Sequence, residues 1–288
     1  MNKKENAGAF LCTDEERLLI SRAAELSART EDSAAALSFL TPREQALIYA
    51  ELERRGVAHR LFFWGGFVGA QRRKAVFLPA WLEGDYPRGI SVFSEERERY
   101  FIDLLTFSGM ESLLTDFLCA VKLCPGGFRD APNHRDYLGS LMALGLKRSV
   151  IGDICICDGY AVVFCEETAA TLITAELRSA GRESLKSEMF PVDRDFAPVV
   201  RFEEICTTVA SLRLDGVVRA LCNVSRDEAA QLVSKGMVDV NYFTKKETDL
   251  QIKGGDIISV RGFGKFIIDG DGGETRRQRL RLLARKYV

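Results

Sequence analysis

The chain has 288 residues, more than one small core usually fills, so two or three domains are expected. An apolar content of 47% with 28% charged residues excludes wholesale disorder, and no apolar run approaches the roughly 20 residues that span a bilayer. The net charge of −1 hides an asymmetry: Ser211 to Val288 carries 15 Lys/Arg against 10 Asp/Glu, whereas the residues upstream carry 25 against 31. A basic module on an acidic body puts the expected polyanion contact at the C-terminus. The start, Met1-Asn2-Lys3-Lys4-Glu5-Asn6, has no apolar stretch behind its lysines, so no signal peptide is read and the expected location is cytoplasmic. Eight cysteines without C-x-x-C spacing and only two histidines read as reduced, mostly structural thiols, with no metal and no cofactor expected.

Residues 1 to about 60 read as helical. Thr13 caps one helix with Glu16 three residues on, and Thr41-Pro42-Arg43-Glu44 opens a second that stops at Gly56. From His59 the texture changes to short aromatic or β-branched runs, Arg60 to Trp64 and Lys74 to Leu78, around a glycine-rich basic loop that contains Gly65-Gly66, Gly69, Arg72 and Arg73. Ser94-Glu95-Glu96-Arg97 reads as a helix start, Pro125-Gly126-Gly127 as a loop, and Leu138 to Leu146 as an apolar helix. Asp158-Gly159 between Asp153–Cys157 and Tyr160–Cys165 predicts a hairpin with a type I′ turn. Glu166 to Ala180 reads as a helix ending at Gly181, and the two prolines from 191 to 201 as a linker. Helices alternating with short strands give an α+β class, with a small α/β sandwich in the middle.

The C-terminal stretch is the most legible. Leu214, Val218 and Leu221 recur at helical spacing; Ser225-Arg226-Asp227-Glu228 is a capping box; Gly236 ends that helix; Val238 to Asn241, Ile257 to Val260 and Phe266 to Ile268 are strands. Arg213, Arg226 and Lys235 can share one face of the two helices and neutralise phosphates. After Glu274 come six basic residues and no acid, Arg276, Arg277 and Arg279 among them, which reads as a further RNA-contacting arm. The order R-L-D, S-R, K-G, V-x-V-N, G-D-x-I-x-V, here Arg213-Leu214-Asp215, Ser225-Arg226, Lys235-Gly236, Val238 to Asn241 and Gly255 to Val260, resembles the S4 RNA-binding domain. That resemblance implies an RNA-binding surface of Arg213, Asp215, Ser225, Arg226, Gln231, Lys235, Asn241, Arg261 and Lys265, extended by Arg276, Arg277 and Arg279.

Asn133-His134-Arg135-Asp136 through Leu138-Gly139, Leu144-Gly145, Arg148 and Ile151-Gly152-Asp153-Ile154 resembles the signature of the bacterial YlmH family. Phe39-Leu40-Thr41-Pro42-Arg43-Glu44-Gln45 and Gly65-Gly66 with Gly69-Ala70-Gln71-Arg72-Arg73 are similar to that family's early motifs, with Gln71 where it has glutamate. Residues 94 to 132 fit its pattern poorly. The resemblance implies a mainly helical N-terminal domain (1–72), an RRM-like central domain (73–190), a linker (191–210) and an S4 domain with a basic tail (211–288). It also implies a ribosome-associated protein, monomeric when free and with no membrane partner, whose partners are the large subunit, rRNA and tRNA. Such proteins are linked to the rescue of stalled large subunits, and their genes often sit near cell-division genes. Arg72, Arg73, Arg135 and Arg148 are expected as secondary RNA contacts.

Competing enzyme readings fail on their neighbours. Arg213-Leu214-Asp215 is similar to the catalytic triplet of pseudouridine synthases, which makes an RNA-modifying enzyme the alternative function. The flanking glycine and hydroxyl residues of those enzymes are missing around Asp215. His134-Arg135-Asp136 lacks the asparagine of a kinase loop, since Leu141 stands there, and Gly262-Phe263-Gly264-Lys265 is followed by Phe266, not Ser or Thr. No catalytic residue is therefore assigned.

Overall fold

The computed structural model describes residues 12–82, 95–127, 131–192, 195–199, 202–274 and 279–287. The protein is mixed α+β and divides into two compact units, Met1–Pro198 and Val199–Val288.

The first unit begins with α1 (Asp14–Arg29), β1 (Ala35–Leu40) and α2 (Pro42–Arg54). Both expected capping boxes form, Thr13 with Glu16 and Thr41 with Glu44, each hydroxyl accepting from the N3 amide while the N3 carboxylate returns to the cap. β1, β2 (Leu61–Trp64) and β3 (Arg73–Phe77) make an antiparallel sheet in the order β1-β3-β2. Residues up to 72 thus hold two strands beside their helices, and a boundary at 72/73 falls at the start of the sheet's central strand. β1 escapes a period-two reading because Leu37, Phe39 and Leu40 are all buried, two of them neighbours on opposite faces.

Next come α3 (Glu95–Phe107), α4 (Leu113–Asp116), β4 (Cys119–Pro125), α5 (His134–Ala143), β5 (Ile151–Ile156), β6 (Ala161–Cys165), α6 (Glu167–Glu176), β7 (Ser179–Ala180) and β8 (Glu183–Phe190). α3 begins beside Ser94, the expected cap, which lies outside the described residues. The strands form a second antiparallel sheet, β5-β6-β4-β8-β7. α5 starts earlier than Leu138 because Asn133 accepts from the amides of Arg135 and Asp136. α6 is shorter than expected, since Ser179 and Ala180 pair with β8. The β5–β6 turn is not type I′: Gly159 has a φ of 81°, but Asp158 is not in the left-handed region that type I′ demands of both central residues.

Three cores stack through this unit. α1 and α2 cover one face of the small sheet through Ala23, Ile48, Leu52 and Phe63. Its other face meets α3 and the five-stranded sheet through Phe39, Phe62, Trp64, Phe101, Val162 and Phe164. α5 and α6 cover the far side of the larger sheet through Tyr137, Leu141, Ala170 and Ile173. The loop from Gly65 to Gln71 is a wedge in the middle core. A Cβ on Gly66 would lie 2.2 Å from the Phe164 ring, so only glycine permits that approach.

The second unit is β9 (Phe202–Val209), α7 (Leu214–Cys222), α8 (Arg226–Ser234), β10 (Val238–Val240), β11 (Phe243–Thr244), β12 (Ile257–Val260), β13 (Gly264–Glu274) and β14 (Leu280–Tyr287). Its six strands run β11-β10-β12-β13-β14-β9. β9 corrects the linker reading of 191–210: all eight of its residues pair with β14, so the strand is held by a partner about eighty residues away. α7 and α8 bury Leu214, Val218, Leu221, Ala229 and Val233 against Val240, Ile258, Phe266 and Ile268. Gly236 follows α8 with a left-handed φ of 68°, as expected. At the Ser225 box the hydroxyl accepts from the Glu228 amide at 3.2 Å.

Candidate nucleic-acid interface

Arg213 caps α7 with its backbone. Asp215, two residues on, is 7% exposed, and its Oδ1 accepts from Arg213 Nε at 3.2 Å and from the Gly216 amide at 2.9 Å. The amides of Leu214 and Asp215 are fixed by the carbonyls of Leu250 and Thr248, so the start of α7 is anchored to the loop before β12. Asp215 therefore orients an arginine, and its carboxylate is taken up by that task.

Arg213 lines a cleft of about 450 Å³ together with Arg219 from α7, Arg226 from the first turn of α8 and Arg279 just before β14, with Val209, Ala210 and Gly216 also in the lining. Arg219 and Arg226 are exposed, and neither has an ion-pair partner among the described residues. Arg279 donates to the Thr208 carbonyl at 2.8 Å, which ties the cleft's edge to β9. Four guanidiniums around one carboxylate leave a strongly cationic hollow, suited to phosphate oxygens that a guanidinium fork can bind in pairs. Arg219 was not among the residues expected from sequence. Its signal was there: it stands one helical turn beyond Asp215, on the same face.

The other expected residues divide. Ser225, Gln231 and Lys235 lie exposed on or beside α8, with Lys235 Nζ 3.5 Å from Gln231 Oε1. Arg261 is exposed at the β12–β13 turn. Asn241 is occupied by the fold: its amide nitrogen donates to Asp256 Oδ1 at 2.8 Å, and its Oδ1 accepts from the Ile257 amide at 2.9 Å. Lys265 lies against two tyrosines, its Nζ 4.9 Å from the Tyr242 ring and 5.0 Å from that of Tyr287. Arg276 and Arg277 lie outside the described residues.

Three of the four secondary contacts point into the first unit, against expectation. Arg72 donates to the carbonyls of Ile151, Arg148 and Phe39, and Arg148 to those of Ile151 and Gly152. Burial and mutual repulsion push the Arg148 guanidinium down to about 10, with Asp153 opposing. Arg73 donates to the Ala70 carbonyl and pairs with Glu98 at 3.0 Å. Asp153 holds the loop by accepting from the amides of Gln71 at 2.6 Å and Arg72 at 3.2 Å. These cations satisfy carbonyls where two sheets meet, a place where charge must be paired. Arg135 alone of the four is exposed. Among the described residues no group of three or more His, Cys, Asp or Glu is arranged to hold a metal, and no helix is long and apolar enough to cross a membrane.

Comparison with known proteins adds three findings. Residues 125–194 match the family model described as "Putative RNA-binding domain in YlmH". The chain is 28% identical over 247 residues to the "Ribosome-associated protein quality control protein P2" of Bacillus subtilis (strain 168), covering 85% of this chain and 84% of that protein. A solved structure titled "Cell division protein ylmH from Streptococcus pneumoniae" aligns with a TM-score of 0.42 at 16% identity, over 62% of this chain and 93% of the other. The chain thus resembles the YlmH family of ribosome-associated proteins.

Proposed function

We propose that this protein is a non-enzymatic RNA-binding protein that associates with the ribosome, and that its primary RNA contact is the arginine cleft of the second unit. The observation that carries this reading is the convergence of Arg213, Arg219, Arg226 and Arg279 on one hollow, with Arg219 and Arg226 unpaired among the described residues. Two helices laid against a small sheet, with the R-L-D and S-R residues at that cleft, support an S4-type module. Such a module reads RNA by backbone and shape. Asp215 supports the non-enzymatic reading, because a buried carboxylate engaged by Arg213 and the Gly216 amide serves as a strut.

The central module runs β-α-β-β-α-β through β4, α5, β5, β6, α6 and β8, which supports the RRM-like reading. An RRM stacks bases on aromatics of its two middle strands. Here that face is spent: Phe164 of β6 is 1% exposed, with its ring 5.1 Å from Phe67 and 5.6 Å from Phe196. Contact from residues 125–194 would therefore come from the outer side, where Arg135 lies at the start of α5. The name of the Bacillus relative supports a role in ribosome-associated protein quality control; the finer reading proposed here is rescue of stalled large subunits, with rRNA, tRNA or both as the ligand.

Sedimentation in sucrose gradients tests the reading. The Arg219→Glu/Arg226→Glu double variant is expected to leave the large-subunit fraction while remaining folded. Co-sedimentation equal to that of the unaltered chain would sink the proposal.

A further inference from the structure

The helices of the second unit cover one face of its six-stranded sheet, and the opposite face has a chemistry of its own. Alternation from the buried Ile258 and Phe266 turns Ser259 and Lys265 outward, where they are cross-strand partners. Tyr287, opposite Phe202, continues the same row onto β14 and β9. The Phe202 and Tyr287 rings are 4.9 Å apart at an interplanar angle of 56°. Tyr242 adds a third ring from the turn between β10 and β11. Its φ is 70°, a conformation that glycine or asparagine adopts freely and tyrosine rarely. This strained position brings the Tyr242 hydroxyl within 3.4 Å of Lys265 Nζ. The row is aromatic, cationic and half-exposed, and it lies on the sheet face away from the arginine cleft.

We propose that this face is a second RNA site, which takes a short unpaired segment by stacking its bases on Tyr242, Tyr287 and Phe202 while Lys265 meets a phosphate. Every base has a π face, so such a row accepts unpaired strands of any sequence and rejects a duplex, whose faces are hidden. RNA fits better than an apolar protein helix, because a lysine sits among the rings and the surrounding unit is basic. Of the acids on this face, Asp269 pairs with Arg285 at 2.7 Å and Asp239 accepts from the Thr244 hydroxyl at 2.7 Å, while Glu204 stands exposed on β9 opposite Arg285, two residues from Phe202. With only Lys265 assigned to a phosphate, binding here has a shallow salt dependence, unlike binding in the cleft.

Two measurements on the full chain decide the matter: anisotropy with a labelled single-stranded oligouridine and a labelled duplex RNA, and ultraviolet crosslinking to the same oligouridine followed by mass spectrometry. Tyr287→Ala with Phe202→Ala is expected to weaken the single strand by roughly tenfold or more and to spare the duplex. Tyr287→Phe with Phe202→Tyr keeps the rings and is expected to restore binding. Crosslinks are expected at Tyr242, Tyr287 or Phe202. Unchanged affinity in the alanine variant overturns the proposal, as does a crosslink map that lacks all three rings, or capture on ribosomes of a ribosomal protein at these rings. If the alanine variant fails to fold, the crosslink map of the unaltered chain decides alone. The Arg219→Glu/Arg226→Glu variant separates the two sites. Loss of ribosome binding with the single strand retained upholds both, retained ribosome binding fails only the cleft, and loss of the single strand in that variant overturns the platform.

Discussion

Arg73 Nε and Glu98 Oε1 face each other at 3.0 Å with side chains only 8% and 2% exposed, joining β3 to α3 inside the middle core of the first unit. The second Glu98 oxygen accepts from the Gly69 amide at 2.7 Å. Burial pushes the Glu98 carboxyl up to about 7, against the pull of Arg73 and the Gly69 amide. The folded value lies above the ordinary 4.5, so the folded chain holds this proton more tightly. The resulting stabilisation is complete below about pH 4.5 and is lost as pH rises through about 7. Its size is on the order of 3 kcal/mol. Urea midpoints are therefore expected to fall between pH 5.5 and pH 8. Glu98→Gln stays neutral at every pH, so it should flatten that slope, with the midpoint at pH 8 close to the variant's own value at pH 5.5. A glutamine variant that keeps the original slope would show that another group titrates.

Asn241 illustrates how a motif residue serves the fold. It stands at a φ of 49° and links the β10–β11 turn to Asp256, whose other oxygen accepts from the Lys253 amide at 2.7 Å. Asn241→Ala removes two hydrogen bonds and strains the backbone, an expected loss of about 2–3 kcal/mol from the second unit. Asn241→Gly should recover the backbone share only. RNA affinity, measured on the folded fraction, should not change in either variant. A specific loss of affinity without a loss of stability would restore Asn241 to the RNA surface.

What was legible in the sequence follows from range. Thr13, Thr41 and Gly236 act on neighbours within four residues, so caps and stops could be read directly. β9 could not. Its sequence, Phe-Glu-Glu-Ile-Cys-Thr-Thr-Val, has no clean alternation, and only pairing with β14 makes it a strand. Residues of the R-L-D and S-R motifs do line one cleft, but charge alone carries no direction. Arg72, Arg73 and Arg148 looked like phosphate contacts because nothing local says that Ile151, Ala70 and Gly152 turn their carbonyls toward them. Arg219 lies outside the motif, although helical spacing puts it beside Asp215.

Gly139 offers a test of the outer surface of α5. It lies inside the helix, is exposed, and a Cβ there would meet nothing within 4 Å. Glycine in a helix interior costs about 1 kcal/mol relative to alanine, chiefly in backbone entropy. Gly139→Ala is therefore expected to raise stability by about that amount, seen as a higher midpoint in thermal or urea unfolding. A lower midpoint would mean that the helix must bend at this position.

Arg219 and Arg226 can be distinguished from a general basic surface by salt. A guanidinium that neutralises a phosphate releases condensed counterions, so the logarithm of affinity falls with the logarithm of salt in proportion to the number of such contacts. Both side chains line the same cleft as Arg213, whose own charge is partly balanced by Asp215 at 3.2 Å. Arg219→Ala and Arg226→Ala should each reduce the salt slope by about one and weaken binding alike across RNA sequences. Asp215→Asn should act differently. It frees Arg213 from its strut without removing a cation, so affinity falls through lost orientation while the slope stays the same or steepens slightly. Equal slopes in all three variants and the unaltered chain would mean that the RNA's phosphates do not enter the cleft.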